Sequence, residues 1–477
     1  MYSHLRLFKV ITFLLLMTML GMPFQAAAAQ DQSTSDNPVY IVQQGDTLGA
    51  IAARFGVSTD AIIELNQISD PNLVTEGTRL QIPGMEGVSG VLTTTVVSLG
   101  QSTDGLLRQY QLSEEQLAKI NRLTSPAELY AGSTLIIPQS DTQAQFVPQG
   151  SVASGGSLLD LAVGSGANPW TLVLLNDLEN SISAVPGETL YRTARDGETS
   201  TSSISPLVQS IEISPLPLVQ GSTAEIRVKT TTALTLTGSL NGRELRFFPF
   251  EDGYVALQGV FAMADTGPAP FELSGVDSNN QSFSFQQNVL IQSGHFANDA
   301  TIYVDPATVD KSNTQPEEDQ VAKIVSQVTS DKMWDGVFVK PIDVPAGYSM
   351  VPDCRTDSFG NRRSYNNGPY ESFHSGVDLS KCGLAGNIYA SAAGTVVFTG
   401  SLVVRGNYTV IDHGWGVFSA YGHQSEIDVK VGDHVEAGQL IGVIGATGRV
   451  DGPHLHWEIW VNGVLVQPLD WLDQAYP

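Results

Sequence analysis

Three asparagines, Asn66, Asn121 and Asn176, stand 55 residues apart along this 477-residue chain. Gly45, Gly100 and Gly155 keep the same spacing, and so do Gly77, Gly132 and Gly187. Three independent marks with one period define an internal repeat, so this part of the chain must fold as one supersecondary unit used three times. The first copy spells out the unit. Tyr40-Ile41-Val42 is strand-like, and Gly45-Asp46-Thr47 turns into a helix with Leu48, Ile51, Ala52 and Phe55 at helical spacing. Gly56-Val57-Ser58 breaks that helix, Ile62, Ile63 and Leu65 continue on a second, and Leu80-Gln81-Ile82-Pro83 closes as a strand. The expected unit is βααβ, over 38–84, 93–139 and 148–192.

Upstream of the repeats, Arg6 and Lys9 flank Val10 to Met22, an uncharged run of 13 residues followed by Ala26-Ala27-Ala28-Ala29. That is the pattern of an export signal over 1–29, and it is too short to span about 30 Å of hydrocarbon. The mature chain is expected to be secreted or extracytoplasmic, without a membrane span. Downstream, residues 193–206 are a Ser/Thr-rich linker. From Val208 the pattern becomes short alternating runs, such as Ala224/Ile226/Val228 and Phe271/Leu273, separated by turns such as Asn241-Gly242. This predicts a β-sandwich spacer over 207–300. Gln315-Pro316-Glu317-Glu318 then opens a helix expected over 315–332. The net charge of −25 leaves no basic stripe for a phosphate backbone, so nucleic acid is an unsuitable partner. Cys354 and Cys382 are the only cysteines. In an exported chain this pair favours a disulfide over a metal or redox site.

Six of the eight histidines fall after Gly336. Three segments carry the chemistry: His374-Ser375-Gly376-Val377-Asp378, Tyr421-Gly422-His423, and Pro453-His454-Leu455-His456-Trp457-Glu458. On a strand, His454 and His456 share a face at about 7 Å along the chain, which suits one metal ligand and one neighbour. His374 and Asp378, four apart, share a face as well. Two imidazoles and a carboxylate are typical zinc donors, and three protein ligands leave a fourth position open. Each piece is weak alone; an H-x-H on a strand is often a structural pair. Glu458 shares strand parity with His456 and suits a hydrogen-bond acceptor behind it.

Both ends of the chain resemble known families. The segment Tyr40, Gly45-Asp46-Thr47-Leu48, Leu65-Asn66, Gly77 and Leu80–Pro83 resembles the LysM module; the second and third copies are degenerate LysM-like units. Phe359-Gly360-Asn361-Arg362-Arg363, His374–Asp378, Gly394–Val397, Gly406-Asn407 through His413-Gly414, Gly438–Gly442 and Gly445 through Glu458 resemble the lysostaphin/LytM-type zinc metallopeptidases. The first resemblance implies binding to N-acetylglucosamine-containing glycan, in a groove between the first loop and the second helix. The second implies Zn2+ held by His374, Asp378 and His456, His423 and His454 as the catalytic pair, and Asn407 as a groove-lining contact. Together they imply a multidomain, mainly β protein: three small βααβ LysM-like units, a β-sandwich spacer, and a C-terminal antiparallel β peptidase domain over 337–475. The implied activity is zinc-dependent endopeptidase hydrolysis of peptidoglycan peptides at the cell wall. The alternative is a non-catalytic wall-binding activator of another peptidoglycan hydrolase, and presence of all five residues argues against it.

Overall fold

The computed structural model describes residues 37–71, 74–85, 87–101, 103–123, 129–139, 146–152, 156–184, 189–194, 204–205 and 207–477. The expected export signal and most of the expected linker lie outside them, as do Gly155 and Gly187. The chain divides into two compact units, residues 1–92 and 93–477.

The first unit carries the first repeat. Strands Val39–Ile41 and Arg79–Gln81 pair antiparallel and flank helices Leu48–Phe55 and Thr59–Asn66. Thr47 caps the first helix by accepting from the Ala50 N–H, and Gly56 ends it in the left-handed conformation. Leu48, Ile51, Ala52 and Phe55 form its buried face, with Phe55 edge-on to Tyr40.

The second unit opens with two further βααβ copies. Their helices are Thr103–Tyr110 and Glu114–Asn121, then Leu158–Ser165 and Pro169–Leu175. The periodic asparagine has one job in all three copies. Its Nδ2 donates to the carbonyl four residues back, on Ile62, Leu117 or Leu172. The same amide group donates to and accepts from the backbone of Gln81, Ile136 or Tyr191. Asparagine alone offers donor and acceptor at this reach, so it staples the second helix to the closing strand.

The sandwich follows. Its five-stranded sheet runs in the order Arg243–Glu244, Leu234–Leu240, Gly267–Asp277, Ser282–Gln292, Leu218–Val219. The facing sheet runs Phe248–Phe250, Gly253–Gly259, Thr223–Thr230, Val208–Ser214. Alternate residues such as Ala224, Ile226, Phe271, Leu273 and Val289 fill the space between.

The second repeat is docked on this sandwich. The Ala131 N–H donates to the Asn288 carbonyl at 3.0 Å, and the Ala131 carbonyl accepts from the Leu290 N–H at 2.8 Å. The Gly100 N–H donates to Gln287 Oε1 at 2.8 Å. Gly132 sits at φ +92°, where a Cβ would come within 2.9 Å of the Pro217 Cα. Leu99 and Ala131, both buried, join the sandwich core. One period earlier the same positions are Gln44 and Glu76, both exposed.

The C-terminal domain is built on an antiparallel eight-stranded sheet. Its strands are β1 (Arg355–Asp357), β2 (Val377–Leu379), β3 (Gly394–Leu402), β4 (Gly406–Gly414), β5 (Val417–Gly422), β6 (His434–Val435), β7 (Leu455–Val461) and β8 (Val464–Val466). Their order is β1-β2-β7-β5-β4-β3-β6, with β8 also on β7. A disulfide joins Cys354 to Cys382.

Two expectations need correction. The helix runs Lys311–Val325 rather than 315–332, because Asp310 caps it by accepting from the Ser312 N–H and Pro316 falls inside it. The sandwich is no free spacer either. Its Phe248 stacks on Trp415 with centroids 5.0 Å apart, and its Val255 and Leu257 share one core with Trp334 and Trp471.

Candidate metal centre

The sheet register assembles the site. Asp378 on β2 pairs with His456 on β7, and His456 pairs with Gly422 on β5. Three neighbouring strands therefore carry Asp378, His456 and the residue before His423 in one row. His374 precedes β2, and Gly376 lets it approach, since a Cβ there would stand 2.4 Å from the Trp457 carbonyl oxygen. His374 Nε2 lies 3.0 Å from Asp378 Oδ1 and 3.1 Å from His456 Nδ1, and the last two atoms are 2.7 Å apart.

These three buried donors are the candidate metal-holding group among the described residues. A tetrahedral zinc with bonds of about 2.0–2.2 Å places its donors roughly 3.3 Å apart, close to what the side chains show. The second nitrogen of each ring is already engaged, which decides the one that faces the centre. His374 Nδ1 donates to the Ser358 carbonyl at 2.9 Å. His456 Nε2 lies 3.0 Å from Ser375 Oγ and 3.1 Å from Glu458 Oε1. Outer hydrogen bonds of this kind orient metal-binding imidazoles.

Charge in the site follows from burial and partners. Burial would raise the Asp378 carboxyl, but His374 and His456 outweigh it and hold the group well below the usual range. Burial would lower His456, yet hydrogen bonds to Asp378 and Glu458 lift it to about 9. Glu458 is fully buried; Arg405, His456 and Tyr408 overcome the burial cost and keep it ionised.

The remaining two histidines stand beside this group. His423 adopts φ +62° at the end of β5, with its N–H donating to the Arg405 carbonyl at 2.9 Å. Its Nδ1 donates to the Thr447 carbonyl at 2.8 Å, leaving Nε2 as the free acceptor. Burial, then the neighbouring His456 and His454, lower it to about 3, so the ring is neutral. His454 donates from Nδ1 to the Gly452 carbonyl at 2.9 Å, and its Nε2 lies 3.6 Å from Asp378 Oδ2. The two rings are 4.8 Å apart, centroid to centroid.

All five expected residues thus converge on one site. Asn407 is near it, with its amide donating to the Gln424 carbonyl at 3.0 Å and its N–H to Thr447 Oγ1. Sequence reasoning anticipated Glu458 but missed Ser375, Arg405, Arg363 and Asp357. The Arg363 guanidinium pairs with Asp357 and reaches within 3.9 Å of Asp378 Oδ2. No periodicity marks these residues: Asp357 ends β1, Ser375 follows His374, and Arg363 and Arg405 reach in from other segments.

Residues 372–468 match peptidase family M23, and residues 40–83 and 96–138 match the LysM domain. The chain therefore carries an M23 peptidase domain and LysM domains. It is 46% identical over 90 residues to the peptidoglycan DD-endopeptidase ShyA of Vibrio cholerae, covering 19% of this chain and 21% of that protein. It is 38% identical over 128 residues to the DD-carboxypeptidase/endopeptidase Mpg of Neisseria meningitidis, covering 27% and 26%. The chain thus aligns with only a fifth to a quarter of the length of these relatives. A solved M23 peptidase from Pseudomonas aeruginosa superposes with TM-score 0.35 at 22% identity, over 55% of this chain and 96% of that one. Lysostaphin from Staphylococcus simulans superposes with TM-score 0.22 at 31% identity, over 25% of this chain and 49% of that one.

Proposed function

We propose that the protein is an extracytoplasmic, zinc-dependent endopeptidase that hydrolyses peptide bonds in peptidoglycan stem peptides or cross-bridges. The observation that carries the reading is the convergence of His374 Nε2, Asp378 Oδ1 and His456 Nδ1, with the other nitrogen of each ring locked on a carbonyl, hydroxyl or carboxylate. Zinc, when bound by these three, supplies the Lewis acidity that makes water nucleophilic near neutral pH and polarises an amide carbonyl. His423 and His454 do the proton work. Each has Nδ1 committed to a backbone carbonyl, so each offers Nε2 to the site. One accepts the proton of the attacking water, and the pair returns a proton to the departing amine and steadies the developing oxyanion.

Glycan capture belongs to the first repeat in this reading. Its Gln44–Thr47 loop and its Glu76-Gly77 turn are largely exposed, whereas the matching loops of the second repeat lie against the sandwich. Holding the chain on the glycan raises the effective concentration of peptide at an insoluble polymer.

The test is release of free amino groups from isolated peptidoglycan by the purified protein. Release that a chelator abolishes and added zinc restores supports the reading; release unaffected by the chelator refutes it.

A further inference from the structure

Behind His456 a buried polar chain leads out of the peptidase sheet and ends on the Lys311–Val325 helix. Glu458 on β7 receives the first link: its Oε1 is 3.1 Å from His456 Nε2 and accepts from Ser375 Oγ at 2.8 Å. Its Oε2 accepts from the Tyr408 hydroxyl and from Trp460 Nε1 at 3.0 Å. Arg405 supplies the next link, its Nε donating to Glu458 Oε1 at 3.2 Å while its Nη1 donates to Glu317 Oε1 at 3.1 Å. Glu317 also accepts from the backbone N–H groups of Val404 and Arg405, at 2.8 and 3.2 Å. The Glu317 and Glu458 side chains are 3% and 0% exposed, so water does not replace either link.

Arg405 serves the site twice. Its guanidinium braces the acceptor of His456, and its carbonyl receives the N–H of His423. Fixing Val404 and Arg405 from the helix therefore bears on a metal ligand and a catalytic histidine together. Glu317 lies upstream of the segment that matches the peptidase family, 372–468. Packing alone does not call for a carboxylate here, because Val321 and Val325 already seat the helix against Tyr408, Val410, Phe418 and Ala420.

We propose that Glu317 is a positioning residue for the metal centre, acting through Arg405 and Glu458 to orient His456, and that the helix is a functional part of the peptidase. This rests on the zinc reading above. A buried charged chain of this kind holds only while both carboxylates grip the guanidinium, since removing one partner leaves the others uncompensated.

The test is the zinc dissociation constant of the full chain, read by competition with a chromophoric chelator. Variants are Glu317→Gln, Glu458→Gln, the double variant and Val321→Ala. Glu317→Gln is expected to weaken zinc binding about tenfold, in the range for outer-shell partners. Val321→Ala is expected to lower the melting temperature while leaving zinc affinity unchanged. The double variant is expected to bind zinc no more weakly than Glu458→Gln alone, because both sit on one chain of contacts. Should Glu317→Gln not fold, Arg405→Lys keeps the charge but cannot fork between two carboxylates, and it is expected to show the same loss. Wild-type affinity in Glu317→Gln or Arg405→Lys overturns the proposal. So does an equal loss in Val321→Ala, or additive losses in the double variant. Failure of the wild-type chain to bind zinc overturns the zinc reading instead.

Discussion

Replacing Leu99 by Gln and Ala131 by Glu gives the second repeat the residues of the first at the two positions that enter the sandwich core. Burial of a leucine side chain is worth about 1.5–3 kcal/mol. The two backbone hydrogen bonds of Ala131 and the Gly100–Gln287 bond add roughly 1 kcal/mol each. The contact is therefore worth about 5 kcal/mol. A glutamate at the fully buried Ala131 position removes it and adds a desolvation cost. Hydrogen exchange read by mass spectrometry reports the outcome directly. The amides of Gly100, Ala131 and Leu290 should lose protection by roughly three to four orders of magnitude, since every 1.4 kcal/mol is tenfold. The Ile136 amide, held by Asn121 within the repeat, should keep its protection and so show the repeat still folded. Hydrolysis of a soluble cross-linked peptide should be unchanged, because no residue of the metal centre is touched. Unchanged exchange at Ala131 and Leu290 would refute the view that Leu99 and Ala131 hold the second repeat on the sandwich.

Further expectations concern the staple, the disulfide and a buried histidine. Asn176→Ala removes three hydrogen bonds at a fully buried site and should cost about 3 kcal/mol, seen as faster exchange of the Tyr191 amide; Asn66→Ala, half-buried, should cost less at Gln81. Replacing Cys354 and Cys382 by serine opens a 28-residue loop and should lower peptidase-domain stability by about 3–4 kcal/mol in a denaturant titration. His413 is fully buried, its Nδ1 donating to the Ala393 carbonyl, and burial lowers it to about 4. The unfolded chain protonates this ring near 6.5, before the folded chain does, so stability is lost as the pH falls from 6.5 towards 4. Between pH 7.5 and 5 the loss from this residue is about 2 kcal/mol, and His413→Gln should reduce the measured drop by that amount.

The local pattern of the repeats was legible because it is short-range. Helical spacing, the Thr47 and Ser58 caps and the Gly56 stop all act within a few residues. The staple role of the asparagines was not, since each reaches a strand 15 residues away. In the metal centre, His374, Asp378, His423, His454 and His456 stood out because their residue types suit the chemistry and the segments around them resemble a known family of metallopeptidases. Glu317 and Arg405 did not, since a glutamate on a helix and an arginine in a turn read as ordinary surface charge until the fold buries them together. The joint between sandwich and peptidase was equally hidden. Phe248 and Trp415 look like members of separate cores, yet they stack at 5.0 Å, and Val255 and Leu257 join Trp334 and Trp471 in one core across the joint.

The measurement that tests the account most directly is zinc content alongside amine release from peptidoglycan, for wild type, His423→Ala and His456→Ala. The account predicts about one zinc per chain in wild type and in His423→Ala, with release reduced at least 100-fold in the latter. It predicts that His456→Ala loses both zinc and activity. A His456→Ala protein that retains zinc and cleaves, or a fully active His423→Ala protein, would contradict it.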